Sequence, residues 1–152
     1  MITYQVEDWH QCLPEMEAMW PLHWEEVAGD KDVIKLEPHY KMYDDIYRSG
    51  QMHVVTARCD GKLIGYHVSI VRPHLHYKSS LSSYTDLYFI HPDYRKGMTG
   101  VNLFRFTEKS LKQRGVQKMF TGTKLSLDMG RIFERLGWRE TERLYTKVIK
   151  DD

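Results

Sequence analysis

Cysteine is scarce in this sequence: Cys12 and Cys59 are the only two in 152 residues, and they form no CxxC pattern. That excludes a disulfide framework and leaves core filling as the simplest use for either thiol. Long apolar runs are also lacking, so no membrane partner is expected. The opening residues "MITYQVEDWH" lack the basic, then apolar, pattern of a secretory signal. A cytoplasmic location is therefore expected. Internal repeats, low-complexity tracts and Ser/Pro-rich linkers are absent as well, so residues 1–152 read as one domain, long enough to bury a core.

Charge is present but unevenly distributed. The total is only +1. Residues 1–45, however, carry eleven Asp or Glu against three Lys, a balance of −8 that leaves +9 for the remainder. Such polarity fits two partner surfaces of opposite sign, or merely solvated faces.

The hydrophobic period changes along the chain. After an opening strand at "ITYQVE", the spacing Leu13, Met16, Trp20, Trp24, Val27 predicts a helix between Asp8 and about Val27, with Pro14 delaying its start and Pro21 kinking or breaking it. Tyr40, Tyr43 and Tyr47 predict a second helix over 38–47. From Met52 the period is two, and Asp60-Gly61 marks a hairpin. "SSYTDLYFIHP" predicts a further strand, with 72–82 before it read as a loop. A helix over 101–114 stopped at Gly115, a strand at "VQKMFTGT", a short helix stopped at Gly137 and a final strand at "RLYTKVIK" complete the order. The fold class expected is mixed α/β with one parallel crossover.

Between the strand ending at Pro92 and the helix opening near Gly100 lies "HPDYRKGMTG". A strand, a glycine-containing basic turn and a helix N-terminus aim backbone N–H groups at one spot, which suits a phosphate. This segment, with "FERLGW" some way downstream, resembles the Gcn5-related N-acetyltransferases, and the element order extends the resemblance over the whole chain. "LHY" at 75–77 and "RKG" at 95–97 are similar to small phage-type members. In that family an Arg or Gln, two residues, a Gly, one residue and a Gly or Ala hold the pyrophosphate of acetyl-coenzyme A. Arg95 and Gly100 match the ends of the motif; Met98 stands in place of the middle glycine and Gly97 lies one position early. The turn is expected to shift so that Gly97 takes the unusual conformation.

The resemblance implies a GNAT fold, a central, mostly antiparallel sheet with flanking helices, and acetyl transfer to a primary amine by direct attack. It assigns acetyl-coenzyme A to Tyr88, Phe89, Ile90, Arg95, Lys96, Gly97, Met98, Thr99, Gly100, Ser126 and Phe133, with a backbone N–H near Ile90 meeting the acetyl oxygen. An alkylammonium needs a base, because its pKa is about 10.4. Strand alternation puts Asp86 on the face of Tyr84, Tyr88 and Ile90, and Asp86 resembles the base of polyamine-type members, with Tyr84 able to relay through water. Family members carry a Tyr acid where Phe133 stands here. Phenylalanine has no proton to give, so Tyr145, Tyr88 or water must serve.

The first two helices border the acceptor site in that family. Trp24, Glu25, Tyr40 and Tyr43 are accordingly assigned to the acceptor, although the aromatic spacing Trp20, Trp24 and Tyr40, Tyr43, Tyr47 is more often that of a core than of a ligand box. Glu25, Glu26, Asp44 and Asp45 would attract a cationic amine: a polyamine, an aminoglycoside, or a protein lysine or N-terminus. His74 and His76 lack a third ligand, so no metal is expected. The basic residues of 95–118 suit one phosphate ligand better than a duplex, so no nucleic acid is expected. Met98 and Phe133 favour a second reading, a non-catalytic protein of the same fold acting through a protein partner. A homodimer is open, with the "LHY" segment a candidate contact.

Overall fold

The structure is a computed structural model, which describes residues 1–149. β1 (Ile2–Val6) is followed by α1 (Trp9–Glu17), α2 (Trp20–Val27), α3 (Tyr40–Arg48), β2 (Met52–Cys59), β3 (Lys62–His74) and β4 (Tyr77–Ile90). A 3-10 turn at Pro92–Tyr94 leads into α4 (Thr99–Gln113), then β5 (Lys118–Phe120) and α5 (Gly130–Arg135). The five strands lie in sequence order in one sheet. The first four pair antiparallel and β5 runs parallel to β4 across the α4 crossover. This is the mixed α/β class expected.

Local chemistry sets most boundaries. Asp8 caps α1, accepting from the Gln11 N–H at 3.1 Å. Pro14 lies inside α1 rather than delaying it, while Pro21 opens α2 in its first turn, where its missing N–H costs nothing. Asp60 and Gly61, at φ +49° and +87°, make the β2–β3 hairpin with both central residues left-handed.

Successive β2 residues serve opposite faces. Val54 joins Trp9, Cys12, Met16, Trp20, Tyr66 and Phe89 under α1 and α2. Val55 joins Ala57, Ile64, Ile90 and Leu103 under α4. Burying each such side chain contributes roughly 1.5–3 kcal/mol, so the sheet is fixed from both sides. Three imidazoles are buried with it. His23 Nδ1 meets Tyr66 Oη at 2.9 Å, His53 Nε2 meets Ser110 Oγ at 2.7 Å, and His67 lies between Ser69 Oγ and Thr85 Oγ1.

Two expectations fail. The 72–82 region is not a loop: β3 and β4 continue through it as a long hairpin turning at Leu75-His76, a pair that carries none of the usual turn residues. The last strand does not form, since 139–149 has no regular structure and Lys150 lies outside the described residues. Alternating sequence supplies only one side of a ladder, and among the described residues no strand edge pairs with that segment.

Candidate functional site

The turn before α4 is held from three directions. The His91 side chain accepts from the Asp93 N–H, Thr99 Oγ1 donates to Lys96 O at 3.2 Å, and Tyr4 Oη donates to Thr99 O at 3.0 Å. Gly97 has φ +67°, as the displaced glycine requires. Met98 is the N-cap at φ −99°, ordinary for an L-residue, and its side chain is half-exposed. The missing middle glycine therefore demands no strain. The first helical N–H to find a partner is that of Asn102, on Met98 O at 2.8 Å. The N–H groups of Thr99, Gly100 and Val101 precede it, at the positive end of a fifteen-residue helix. A Cβ built on Gly97 or Gly100 would meet nothing within 4 Å, so a phosphate has room to approach.

Arg95 is turned away from that opening. Its Nη2 donates to Glu26 on α2 at 2.6 Å and its Nε to Ile90 O at 2.7 Å, while the guanidinium lies 5.3 Å from the Phe89 ring centre. Lys96 is exposed beside it.

β4 and β5 pair through Ser82–Tyr84 and Lys118–Phe120, and among the described residues β4 runs on without a pairing partner on that side from Thr85 to Ile90. The His91 N–H donates to Ile64 O on β3 at 2.7 Å. Backbone alternation then aims the N–H of Ile90 the opposite way, into the gap that opens between β4 and the chain after β5. Across this gap Tyr88 Oη donates to Gly122 O at 2.8 Å. Phe133 is buried against Tyr88, Phe104 and Trp138, with ring centres 5.0–6.0 Å apart. It packs and offers no proton.

One expectation about β4 is corrected. Val68 pairs with Leu87 and Ser69 with Thr85, leaving Asp86 as an extra, unpaired residue. This bulge breaks the alternation. Asp86 faces α3, whereas Tyr88 and Ile90 face α4. Tyr43 on α3 donates to Asp86 Oδ2 at 2.5 Å. Although Asp86 keeps an exposed flank, protein packed around its carboxyl raises its pKa above the usual carboxylate range, with the Tyr43 hydrogen bond opposing the rise. Burial, then the charge of Asp86, raises the Tyr43 phenol. Tyr84 lies farther along β4, stacked on Phe120 at 5.0 Å.

Beside Asp86 the helices form an aromatic wall. Tyr43 stacks on Trp9 at 4.9 Å, Trp20 stacks on Tyr40 at 6.0 Å, and Tyr40 Oη donates to Glu17 at 3.0 Å. Trp24 is covered by Lys31, which also binds Glu25 through its backbone and carboxylate oxygens. The four carboxylates expected to draw a cation are already matched: Glu25 by Lys31, Glu26 by Arg95, Asp44 by Arg48 and His10, and Asp45 by Lys41. Glu17 and Asp86, each bonded only to a phenol among the described residues, are the acidic groups at the wall. Glu17 carried no signal in the sequence. Tyr145 is 84% exposed in the irregular tail, and Ser126 is exposed in the turn bridged by Lys124 and Leu127. A cavity of about 470 Å³ lined by Glu7, Tyr47, His53 and Arg114, among others, includes none of these site residues.

The model of the acetyltransferase (GNAT) family matches residues 9–138. No curated protein matches the chain. Among solved structures, it is similar to a ribosomal-protein-alanine N-acetyltransferase from Brucella melitensis biovar Abortus 2308, at TM-score 0.77 and 13% identity over 99% of both chains. It is also similar to an aminoglycoside acetyltransferase from an uncultured soil metagenomic sample, in complex with trehalose. There the TM-score is 0.75 and the identity 13%, over 98% of this chain and 97% of that one. A third is a predicted acetyltransferase with acetyl-CoA from Clostridium acetobutylicum, at 0.70 and 11% over 97% and 96%.

Proposed function

The chain belongs to the acetyltransferase (GNAT) family, and from that premise we propose that it transfers acetyl from acetyl-coenzyme A to a primary amine by direct attack. The observation that carries this reading is the Ile90 N–H aimed into the β4–β5 gap beside the open N-terminus of α4. The bound co-substrate would supply an activated thioester. The residues fit it: the N–H groups of Thr99, Gly100 and Val101, with Lys96, would hold its phosphates, and Arg95 would join them by exchanging Glu26 for a phosphate oxygen. The Ile90 N–H would orient and polarise the acetyl oxygen.

Asp86 would accept the proton of the amine, directly or through water, and its raised pKa brings it closer to neutrality, as base catalysis favours. Tyr88, hydrogen-bonded next to Phe133, takes the place assigned to Tyr145 as a proton source for the departing thiolate. The aromatic wall with Glu17 and Asp86 suits a cationic amine, a small molecule or a protein lysine or N-terminus.

Calorimetric titration with acetyl-coenzyme A, repeated on Arg95→Ala/Gly100→Asp, tests the first half. Binding that the double change abolishes supports the reading, and no binding by the intact chain overturns it. An acceptor panel with Asp86→Asn as control tests the second half. The packed Phe133 favours one other reading, a non-catalytic partner-binding protein, which predicts cofactor-independent partner binding and no acetylation of any amine.

A further inference from the structure

Carboxylates are missing from two stretches that the fold brings together. Residues 61–85, which make β3 and most of β4, contain no Asp or Glu, and neither do 109–127, which end α4 and carry β5. Their cations lack the partners found elsewhere in the chain. Arg48, Arg58 and Arg95 each meet a carboxylate, whereas Arg72 and Lys118, both exposed, form no ion pair among the described residues. They meet rings instead: the Arg72 guanidinium lies 5.8 Å from the centre of Tyr84, and Lys118 Nζ 5.0 Å from that of Phe120. A ring face orients a cation without cancelling its charge.

The sheet register sets the two cations in one row. Arg72 pairs with Ser82 and Ser82 with Lys118, so they stand on either side of β4, about 10 Å apart at the backbone. The short Ser82 between two long side chains leaves a gap in the row, and in the next row Tyr84 and Phe120, stacked with ring centres 5.0 Å apart, wall it on one side. This row shares a face with Asp86. Thr85 Oγ1 lies 3.4 Å from His67 Nε2, and His67 packs edge-on against Phe104 of α4. Tyr84 and Ser82 therefore point the other way, to the side of Tyr43 and Asp86. From Ser82 to Asp86 the strand covers roughly 13 Å.

We propose that the acceptor amine carries an oxyanion, a carboxylate or a phosphate, which is seated between Arg72 and Lys118 while the amine lies at Asp86. This rests on the acetyltransferase reading and narrows its acceptor. Two cations that reach one oxyanion from opposite sides make charge-assisted hydrogen bonds, and no carboxylate of the two strand segments competes for them. The span fits three or four extended residues of a peptide, at about 3.3–3.6 Å each. The acceptor class is thus a peptide N-terminus, or an amine of equal length, with an acidic group that far from its nitrogen. A polyamine or an aminoglycoside, cationic at every end, finds no complement in this row.

The test uses the full-length chain, acetyl-coenzyme A and alanine tri- and tetrapeptides, each with a free C-terminal carboxylate or amidated, together with an amidated Ala-Ala-phosphoserine. The free acids are expected to exceed the amides by about tenfold or more in kcat/KM, through KM, with the advantage shrinking as salt is raised. Arg72→Ala/Lys118→Ala should erase it, so that acid and amide react alike. The phosphoserine peptide separates the two oxyanions: it matches the free acids if either serves and outruns them if phosphate is preferred. Acid and amide acetylated equally by the intact chain overturn the proposal and leave the transfer reading standing. Calorimetric titration with the same peptides needs no turnover. Tighter binding of the acids than of the amides, with no peptide acetylated, keeps the anion seat and removes the transfer reading, whereas equal binding removes the seat. If the double variant fails to fold, the acid-to-amide comparison on the intact chain decides alone.

Discussion

The turn from Lys96 to Val101 and the wall from Trp9 to Tyr43 flank the same end of β4, yet they are built from different material. The turn is backbone: N–H groups at a helix start, a left-handed Gly97 and open space before Gly100. The wall is side chain: stacked rings, the phenol of Tyr43 and the carboxylates of Glu17 and Asp86. A site made of backbone tolerates a change of letters as long as the path of the chain is kept, and Met98 keeps that path without strain. A site made of side chains has no such tolerance, because its geometry is the identity of its residues.

That contrast can be broken or sharpened by substitution. The largest effect is expected at Asp86→Asn, which should lower kcat/KM for acetyl transfer about 10²- to 10⁴-fold while acetyl-coenzyme A affinity holds. If calorimetry shows affinity falling in step, the two regions are not separable. Next is Gly100→Asp, where a carboxylate placed at the α4 N-terminus should weaken acetyl-coenzyme A binding by about tenfold or more. An unaltered titration would move the phosphates elsewhere. Tyr43→Phe should cost about two- to tenfold in kcat/KM. Because the Tyr43 hydrogen bond lowers the pKa of Asp86, its loss should also shift the acid limb of the pH–rate profile upward. A limb that stays or moves down would mean that the pair does not act as a unit. The smallest effect belongs to Met98→Gly, which should change acetyl-coenzyme A affinity by no more than about twofold, as for an exposed side chain free of strain.

Legibility in the sequence followed the same division. The Asp60-Gly61 hairpin, the α4 crossover and the left-handed Gly97 were legible because each is a local demand met by a local residue. The bulge at Asp86 was not, since a two-residue period carries no sign of where a ladder admits an extra residue. Nor was the pairing of Tyr43 with Asp86, 43 positions apart. The acidic N-terminal surplus was real as a count but is weaker as a field, because guanidinium groups from later in the chain fold back onto it: Arg48 on Asp44, Arg58 on Glu7 and Glu15, and Arg95 on Glu26. The tail reads as a strand and stands alone, which shows that a strand is a relation between two segments.

The buried imidazoles tie the fold to proton activity. Arginine can only donate, so the contact from Arg114 to His53 Nδ1 marks that ring as neutral. Burial lowers His23 and His53 from 6.5 to about 4, and His67 to about 3. An opened chain therefore takes up these protons more readily than the folded one. The contribution of these rings to stability is fully present above about pH 6.5 and drains away below it, at up to about 1.4 kcal/mol per pH unit for each ring, until the folded values are reached. An amine acceptor loses its reactive neutral form in the same direction. Acid therefore works against the scaffold and the proposed reaction together, whereas a rise in pH beyond about 6.5 favours only the reaction.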